Sequence, residues 1–235
     1  MSKNELGFAY ENEVIEALRI AGIAGNITEG AGASAADADA DFMVNGKRYL
    51  LEIKKDADAQ MGGTSVRYNA GEFEIVSDAV DKDTADLIIA ALQPKQDPIE
   101  RLLAAIGSSK FPTTCEKYTW TRAKDKGLLK PINAKIKRNT SFIIDHYKRK
   151  GIHYVQIGGS GLFYLDENPA NLPIPKLEGE IDIELRAGRS GSSLNAAGQR
   201  RVSGLLRAQA RLKFKGSSPI SLDSEVGIVQ IKGTQ

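Results

Sequence analysis

Three ionisable residues stand at a spacing that could do chemistry: Asp41, then Glu52 and Lys54, all within DFMVNGKRYLLEIK. Two short apolar runs flank Asn45-Gly46, the pair that most strongly favours a two-residue hairpin turn. In a strand, residues two apart share a face, so Glu52 and Lys54 project together while Leu51 and Ile53 point the other way. Counting outward from the turn pairs Val44 with Lys47, sets Asp41 opposite Leu50 and sets Asp39 opposite Glu52. The hairpin therefore gathers Asp39, Asp41 and Glu52 beside Lys54. Carboxylates crowded in this way repel one another unless a cation sits between them. A hard divalent cation takes oxygen ligands, polarises a phosphoryl group and ionises a bound water. A neighbouring ammonium can orient that water or stabilise charge growing on the phosphate. The chemistry expected is phosphodiester hydrolysis, although the wet face of an ordinary charged hairpin carries a similar pattern.

The elements that must position these residues follow from periodicity. Residues 4 to 21 place Leu6, Tyr10, Val14, Ala17, Leu18 and Ala21 at helical spacing before Gly22, which predicts a first helix with a glycine cap. The small, aperiodic stretch TEGAGASAADADA reads as a loop. Beyond the hairpin, Ser77 to Leu92 and Pro98 to Ile106 read as helices, with Pro94 and Pro98 marking the break. Residues 107 to 130 have no clear period. Pro131 then opens a predicted helix through INAKIKRNTSFIIDHYKRKG, ending at Gly151. The remainder reads as strands in HYVQIG, GLFYL, IDIELRA, LRAQARLKFK and VGIVQIK. RAGRSGSS reads as a mobile loop, and it lacks the lysine of a phosphate-binding loop, so nucleotide hydrolysis is not expected.

Asp41, ten residues, then Glu52-Ile53-Lys54 resembles the signature of the PD-(D/E)XK nuclease superfamily. The first helix with GFAYENEVIEAL, the Gly/Ser-containing loop and the E-x-K strand are similar to those of archaeal Holliday-junction resolvases within it. The likeness spans roughly residues 4 to 68. It implies an α/β (α+β) fold with a restriction-endonuclease-like core, a mixed β-sheet flanked by helices. It also implies Mg²⁺ as cofactor with Mn²⁺ as a substitute, Asp41 and Glu52 as metal ligands, Lys54 as the water-activating residue and Glu11 as the helical acidic residue. Segment 131 to 157 would complete the core after a helical insertion of about 77–130. The expected organisation is then a nuclease core over 1–157 and a basic, strand-rich C-terminal extension over 158–235, packed on the core. Ala40 stands where the family name has Pro, and Asp39 is a rival ligand; Asp41 is preferred because it directly precedes FMV. Gln60 and Tyr68 stand eight residues apart rather than four, which does not match the Gln-x-x-x-Tyr motif of the exonuclease branch.

Charge along the chain points to the substrate. Up to Glu100 there are nine basic and nineteen acidic residues, and after it 23 and 11. This asymmetry suggests an acidic, metal-collecting half joined to a half suited to polyanions. Between Lys117 and Lys150 eleven basic residues face only Asp125 and Asp145, which makes Lys124, Lys126, Lys130, Lys137 and Arg138 candidate phosphate contacts. Tyr118 and Trp120 are interleaved, Trp120 more as a core residue than as a stacking one. In LRAQARLKFK, period two puts Arg207, Gln209, Arg211, Lys213 and Lys215 on one face, a basic stripe or a charged edge strand. The single cysteine, Cys115, excludes an internal disulfide or a cysteine-built zinc cluster. His146 and His153 are read as a helical residue and a strand flank, not as a zinc site. At 235 residues one or two domains are expected. No run approaches the roughly 18 apolar residues of a membrane span, and the N-terminus lacks a secretory pattern, so a cytoplasmic location is expected. The partner expected is DNA, with a homodimer allowed for and no membrane. The function expected is a Mg²⁺-dependent endonuclease acting on duplex or branched DNA. The alternatives are a catalytically silent DNA-binding module, or an exonuclease or RNase of the same superfamily.

Overall fold

The Asn45-Gly46 pair turns the chain as its chemistry dictates: both residues adopt positive φ, 51° and 71°, the twist a tight hairpin requires. The computed structural model describes residues 3–25, 38–76, 80 and 82–232. Strands β1 (Ala40–Val44) and β2 (Lys47–Lys54) pair antiparallel, with Val44 opposite Lys47 and Asp41 opposite Leu50. The first helix, α1 (Lys3–Ile20), forms where expected; Gly22 follows it at φ 68°. The loop predicted over residues 28 to 40 lies outside the described residues up to residue 37.

The chain is a mixed α/β protein that divides into two units, one comprising 1–59, 138–180 and 212–235, the other 60–137 and 181–211. In the first unit, helix α5 (Ser141–Arg149) leads into β8 (Ile152–Ile157), which lies parallel to β2 with Glu52 beside Val155 and Lys54 beside Ile157. Strand β9 (Gly161–Tyr164) returns antiparallel, so the sheet order is β1-β2-β8-β9. Parallel neighbours require a crossover, and here α5 is its last element. One face of this sheet buries Phe42, Leu51, Ile53 and Tyr154 against Val14 and Leu18 of α1 and against Ile228 and Ile231 of α6 (Glu225–Lys232). Each such side chain contributes about 1.5–3 kcal/mol on burial. Tyr147 of α5 lies on the Glu52 side.

The second unit is built on a seven-stranded sheet. Its strands are β3 (Gln60–Asn69), β4 (Glu72–Ile75), β5 (Lys110–Phe111), β6 (Thr113–Glu116), β7 (Ile132–Asn139), β10 (Glu180–Leu194) and β11 (Arg200–Lys213). The path runs β4-β3-β11-β10-β7, with β5 on β3 and β6 on β11. Helices α2 (Lys82–Leu92), α3 (Gln96–Ile106) and α4 (Lys117–Asp125) complete it. Trp120 is buried, at 5% exposure. Gly204 makes room for it, since a Cβ there would lie 2.5 Å from the indole.

Several expectations are corrected. The helix predicted from Pro131 is strand β7 up to Asn139 and helix only from Ser141; Ile132, Ala134 and Ile136 also satisfy period two, and the neighbouring β10 decides between the periods. VGIVQIK is helical, because both of its isoleucines are drawn into the core under α1. RAGRSGSS lies within β10 rather than in a loop. Residues 107 to 130 contain β5, β6 and α4. The boundary drawn at residue 157 and the insertion at 77–130 differ from the observed division, in which the inserted unit begins at Gln60 and recruits residues 181–211. Sheet pairing between distant segments, β3 with β11 among them, leaves no local signal.

Candidate active site

Glu52 and Lys54 project from the same face of β2, on the strand between β1 and the parallel β8. The Lys54 ammonium contacts Glu52 Oε1 and lies 3.8 Å from Asp39 Oδ2. Asp39 precedes β1, and its Oδ2 accepts a 2.7 Å hydrogen bond from the Ile53 amide. The backbone of the E-x-K strand thus fixes the carboxylate that faces its side chains. The Tyr147 hydroxyl donates to Glu52 Oε1 at 3.5 Å, and burial holds that phenol well above its ordinary range.

The electrostatics show negative charge in excess. Burial and the Glu52 charge push the Asp39 carboxyl up to about 6. The Glu11 carboxyl is also raised by partial burial, with Lys54 opposing and Glu52 reinforcing the shift. Burial alone would depress the Lys54 ammonium, but Glu52 and Asp39 hold it above its usual value. One cation therefore serves three carboxyl groups. The turn of α1 that carries Glu11 is pinned by Tyr10, which donates to Asp223 at 2.7 Å and accepts from the fully buried Gln156 at 3.1 Å.

Asp41, the sequence's preferred ligand, is placed differently. It is 2% exposed and pairs with Arg48 across the hairpin. Gly25 covers it so closely that a Cβ there would fall 2.0 Å from its carboxylate. Asp39, the rival, is the residue brought to Glu52 and Lys54. Among the described residues no three His, Cys, Asp or Glu side chains converge to hold a metal ion; the two carboxylates that meet at Lys54 are Asp39 and Glu52. That pair fits Mg²⁺, which commonly takes one or two protein carboxylates and completes its shell with water and phosphate. The ammonium of Lys54 already stands as the cation between the two.

The basic candidates are dispersed. Lys124, Lys126 and Lys130 are exposed on and after α4. Lys137 and Arg138 lie on β7, with side chains outside the described residues. Strand β11 alternates as predicted, burying Leu206, Ala208, Ala210 and Leu212. Arg207 is exposed, Arg211 lies 3.8 Å from Glu184, Lys213 pairs with Asp58 and Lys215 is exposed beyond the strand. His146 is lowered by burial and by Lys150. His153 Nδ1 is buried without a hydrogen bond. Cys115 is free and buried. No described helix is long and apolar enough to cross a membrane. Sequence reading missed Tyr147, Arg48 and the Tyr10–Gln156–Asp223 network; Arg48 alone had a signal, its place diagonal to Asp41 in the hairpin. Compared with protein-family models, curated proteins and solved structures, the chain matches none.

Proposed function

We propose that this protein is a Mg²⁺-dependent nuclease that hydrolyses phosphodiester bonds of DNA, with Asp39, Glu52 and Lys54 as its centre. The observation that carries the reading is the meeting of Asp39, Glu52 and Lys54 on one sheet face, anchored by the Ile53 amide. The resemblance to the PD-(D/E)XK pattern supports it, as does a parallel strand supplied by 131 to 157 beside the E-x-K strand. Bound Mg²⁺ would supply Lewis-acid polarisation of the phosphoryl group and an ionised water, and Mn²⁺ would serve in its place. Asp39 and Glu52 are the residues that would hold the metal, through their carboxylate oxygens. The Lys54 ammonium, beside Glu52 and Asp39, would donate to a phosphate at that position and stabilise negative charge growing on it. Tyr147 orients Glu52, and Glu11 sets the local field from α1.

The test is cleavage of end-labelled linear DNA, covalently closed circles and four-way junctions with Mg²⁺. Wild type is expected to cut, Glu52→Gln and Asp39→Asn to lose cleavage, and Asp41→Asn to keep it. Loss in Asp41→Asn with retention in Asp39→Asn returns the metal to Asp41. DNA binding by wild type without any cleavage replaces the enzyme with a silent binding module. Cutting of circles separates endonuclease from exonuclease action.

A further inference from the structure

The second unit carries an open cleft of about 470 Å³ lined by Glu116, Lys117, Tyr118, Thr121, Gln199 and Arg200. Its floor is set by the pairing of β6 with β11, where Arg201 stands opposite Glu116. This brings the start of α4 beside the turn that joins β10 to β11. Asn195 shapes that turn: its side-chain oxygen accepts from the Ala197 and Gln199 amides at 3.1 and 2.8 Å. On α4, Trp120 and Ala123 point inward. Tyr118, on the opposite side, is 67% exposed. The Arg122 guanidinium lies over its ring, 5.8 Å from the centroid. Among the described residues Lys117, Arg122, Lys124 and Arg200 take part in no ion pair.

An exposed aromatic ring contributes nothing to the core, and cations without internal partners are available to an external anion. A ring stacked with arginine beside unpaired basic side chains is the arrangement that takes a base and its flanking phosphates together. The base must be unpaired, because in a duplex both of its faces are already stacked on neighbours. Glu116 is the one carboxylate in the cleft, and Lys117 and Arg200 outnumber it. We infer that the α4 and β10–β11 face of the second unit binds single-stranded nucleic acid, with Tyr118 as the base platform and Lys117, Arg122 and Arg200 as phosphate contacts. The inference builds on the nuclease reading by giving that enzyme a grip on unpaired strand, such as a junction or frayed end presents.

The test measures fluorescence anisotropy of labelled oligonucleotides in chelator, so that binding is read without cleavage. The probes are oligothymidylate, oligouridylate, an abasic strand with the same phosphates, and a duplex. Wild type is expected to bind oligothymidylate more tightly than the abasic strand. Tyr118→Ala should weaken that binding roughly five- to hundredfold, the worth of one stacked base, and leave the abasic strand unchanged. Tyr118→Phe should bind as wild type. Lys117→Ala with Arg200→Ala should weaken binding to every probe and flatten its salt dependence. Emission of Trp120, the only tryptophan, reports that the unit remains folded. The thymidylate and uridylate arms distinguish DNA from RNA. Equal binding of the base-bearing and abasic strands, an unchanged Tyr118→Ala, or no binding of oligothymidylate overturns the inference. Failure here with Mg²⁺-dependent cleavage intact leaves the nuclease standing. Tyr118-dependent binding without cleavage by any variant removes the nuclease and keeps this surface.

Discussion

Removing the charge of Asp39 should stabilise the metal-free protein, and by an amount that depends on pH in one direction only. Its carboxyl, ordinarily at 3.8, is pushed up to about 6 by burial and by Glu52. The folded state therefore holds this proton more tightly than the unfolded state does. The benefit is complete below the unfolded value and is lost as pH rises through about 6. Above that, wild type carries a penalty of about 3 kcal/mol, roughly two units at about 1.4 kcal/mol each. Asparagine mimics the protonated acid and keeps an oxygen for the Ile53 amide, which donates to Asp39 at 2.7 Å. Asp39→Asn should thus melt roughly 6–12 °C above wild type at about pH 8, given about 2–4 °C per kcal/mol for a chain of this size. The gap should close towards about pH 4. Circular dichroism melts across that range read it directly. Excess Mg²⁺ should raise wild type and leave Asp39→Asn nearly unmoved, since the cation neutralises the same pair. A gap that does not vary with pH would refute the electrostatic argument, and an equal Mg²⁺ shift in both proteins would remove Asp39 as a ligand.

Three further outcomes are expected. Arg48→Ala takes the cross-strand cation from the buried Asp41 carboxylate, and should cost about 1–3 kcal/mol in denaturant melts while sparing cleavage; Arg48→Ala with Asp41→Asn should recover much of that loss. Ca²⁺, larger and looser in its coordination, should support DNA binding but little cleavage, and equal turnover with Ca²⁺ or turnover in excess chelator contradicts the metal chemistry. Arg207→Ala should flatten the log–log dependence of DNA affinity on salt by about one unit. Arg211→Ala and Lys213→Ala should do less, because Glu184 and Asp58 already face those residues; an unchanged slope in Arg207→Ala takes β11 out of the interface.

What could be read from the residues was local or strongly periodic. Helix α1 and the β1–β2 hairpin follow from spacing and from one turn dipeptide, and the alternation of β11 appears in its burial. Segments whose apolar residues fit two periods were decided elsewhere. Ile132, Ala134 and Ile136 suit a strand or a helix, and β10 settled the matter by pairing with β7. VGIVQIK is rich in β-branched residues, yet Ile228 and Ile231 stand three apart and both enter the first unit's core as a helix. Composition alone made RAGRSGSS look mobile, whereas its backbone belongs to β10. The bounds of the two units differ from those expected for a related reason. Each is assembled from segments far apart in sequence, and pairing at that range has no periodic trace.

The choice between Asp39 and Asp41 is a different case, because the register that decides it is set by the Asn45-Gly46 turn in the sequence itself. Both acids fall on the Glu52 face, about 7 Å apart along the strand direction, so face alone does not separate them. The hairpin does so through its two cations. Arg48 is opposite Met43, which places it diagonal to Asp41, and diagonal neighbours are within reach of a long side chain. Lys54 lies at the far end of β2, level with the residues that precede β1. Each cation takes the acid nearest its own end: Arg48 closes on Asp41 towards the turn, and Lys54 faces Asp39 and Glu52 at the open end. Burial then completes the division. Asp41 becomes a satisfied structural pair beneath Gly25, whereas Asp39 is left sharing one ammonium with Glu52 and Glu11, with its carboxyl driven upward. The acid whose charge is least compensated is the one to which a divalent cation contributes most, and in this hairpin that acid is Asp39.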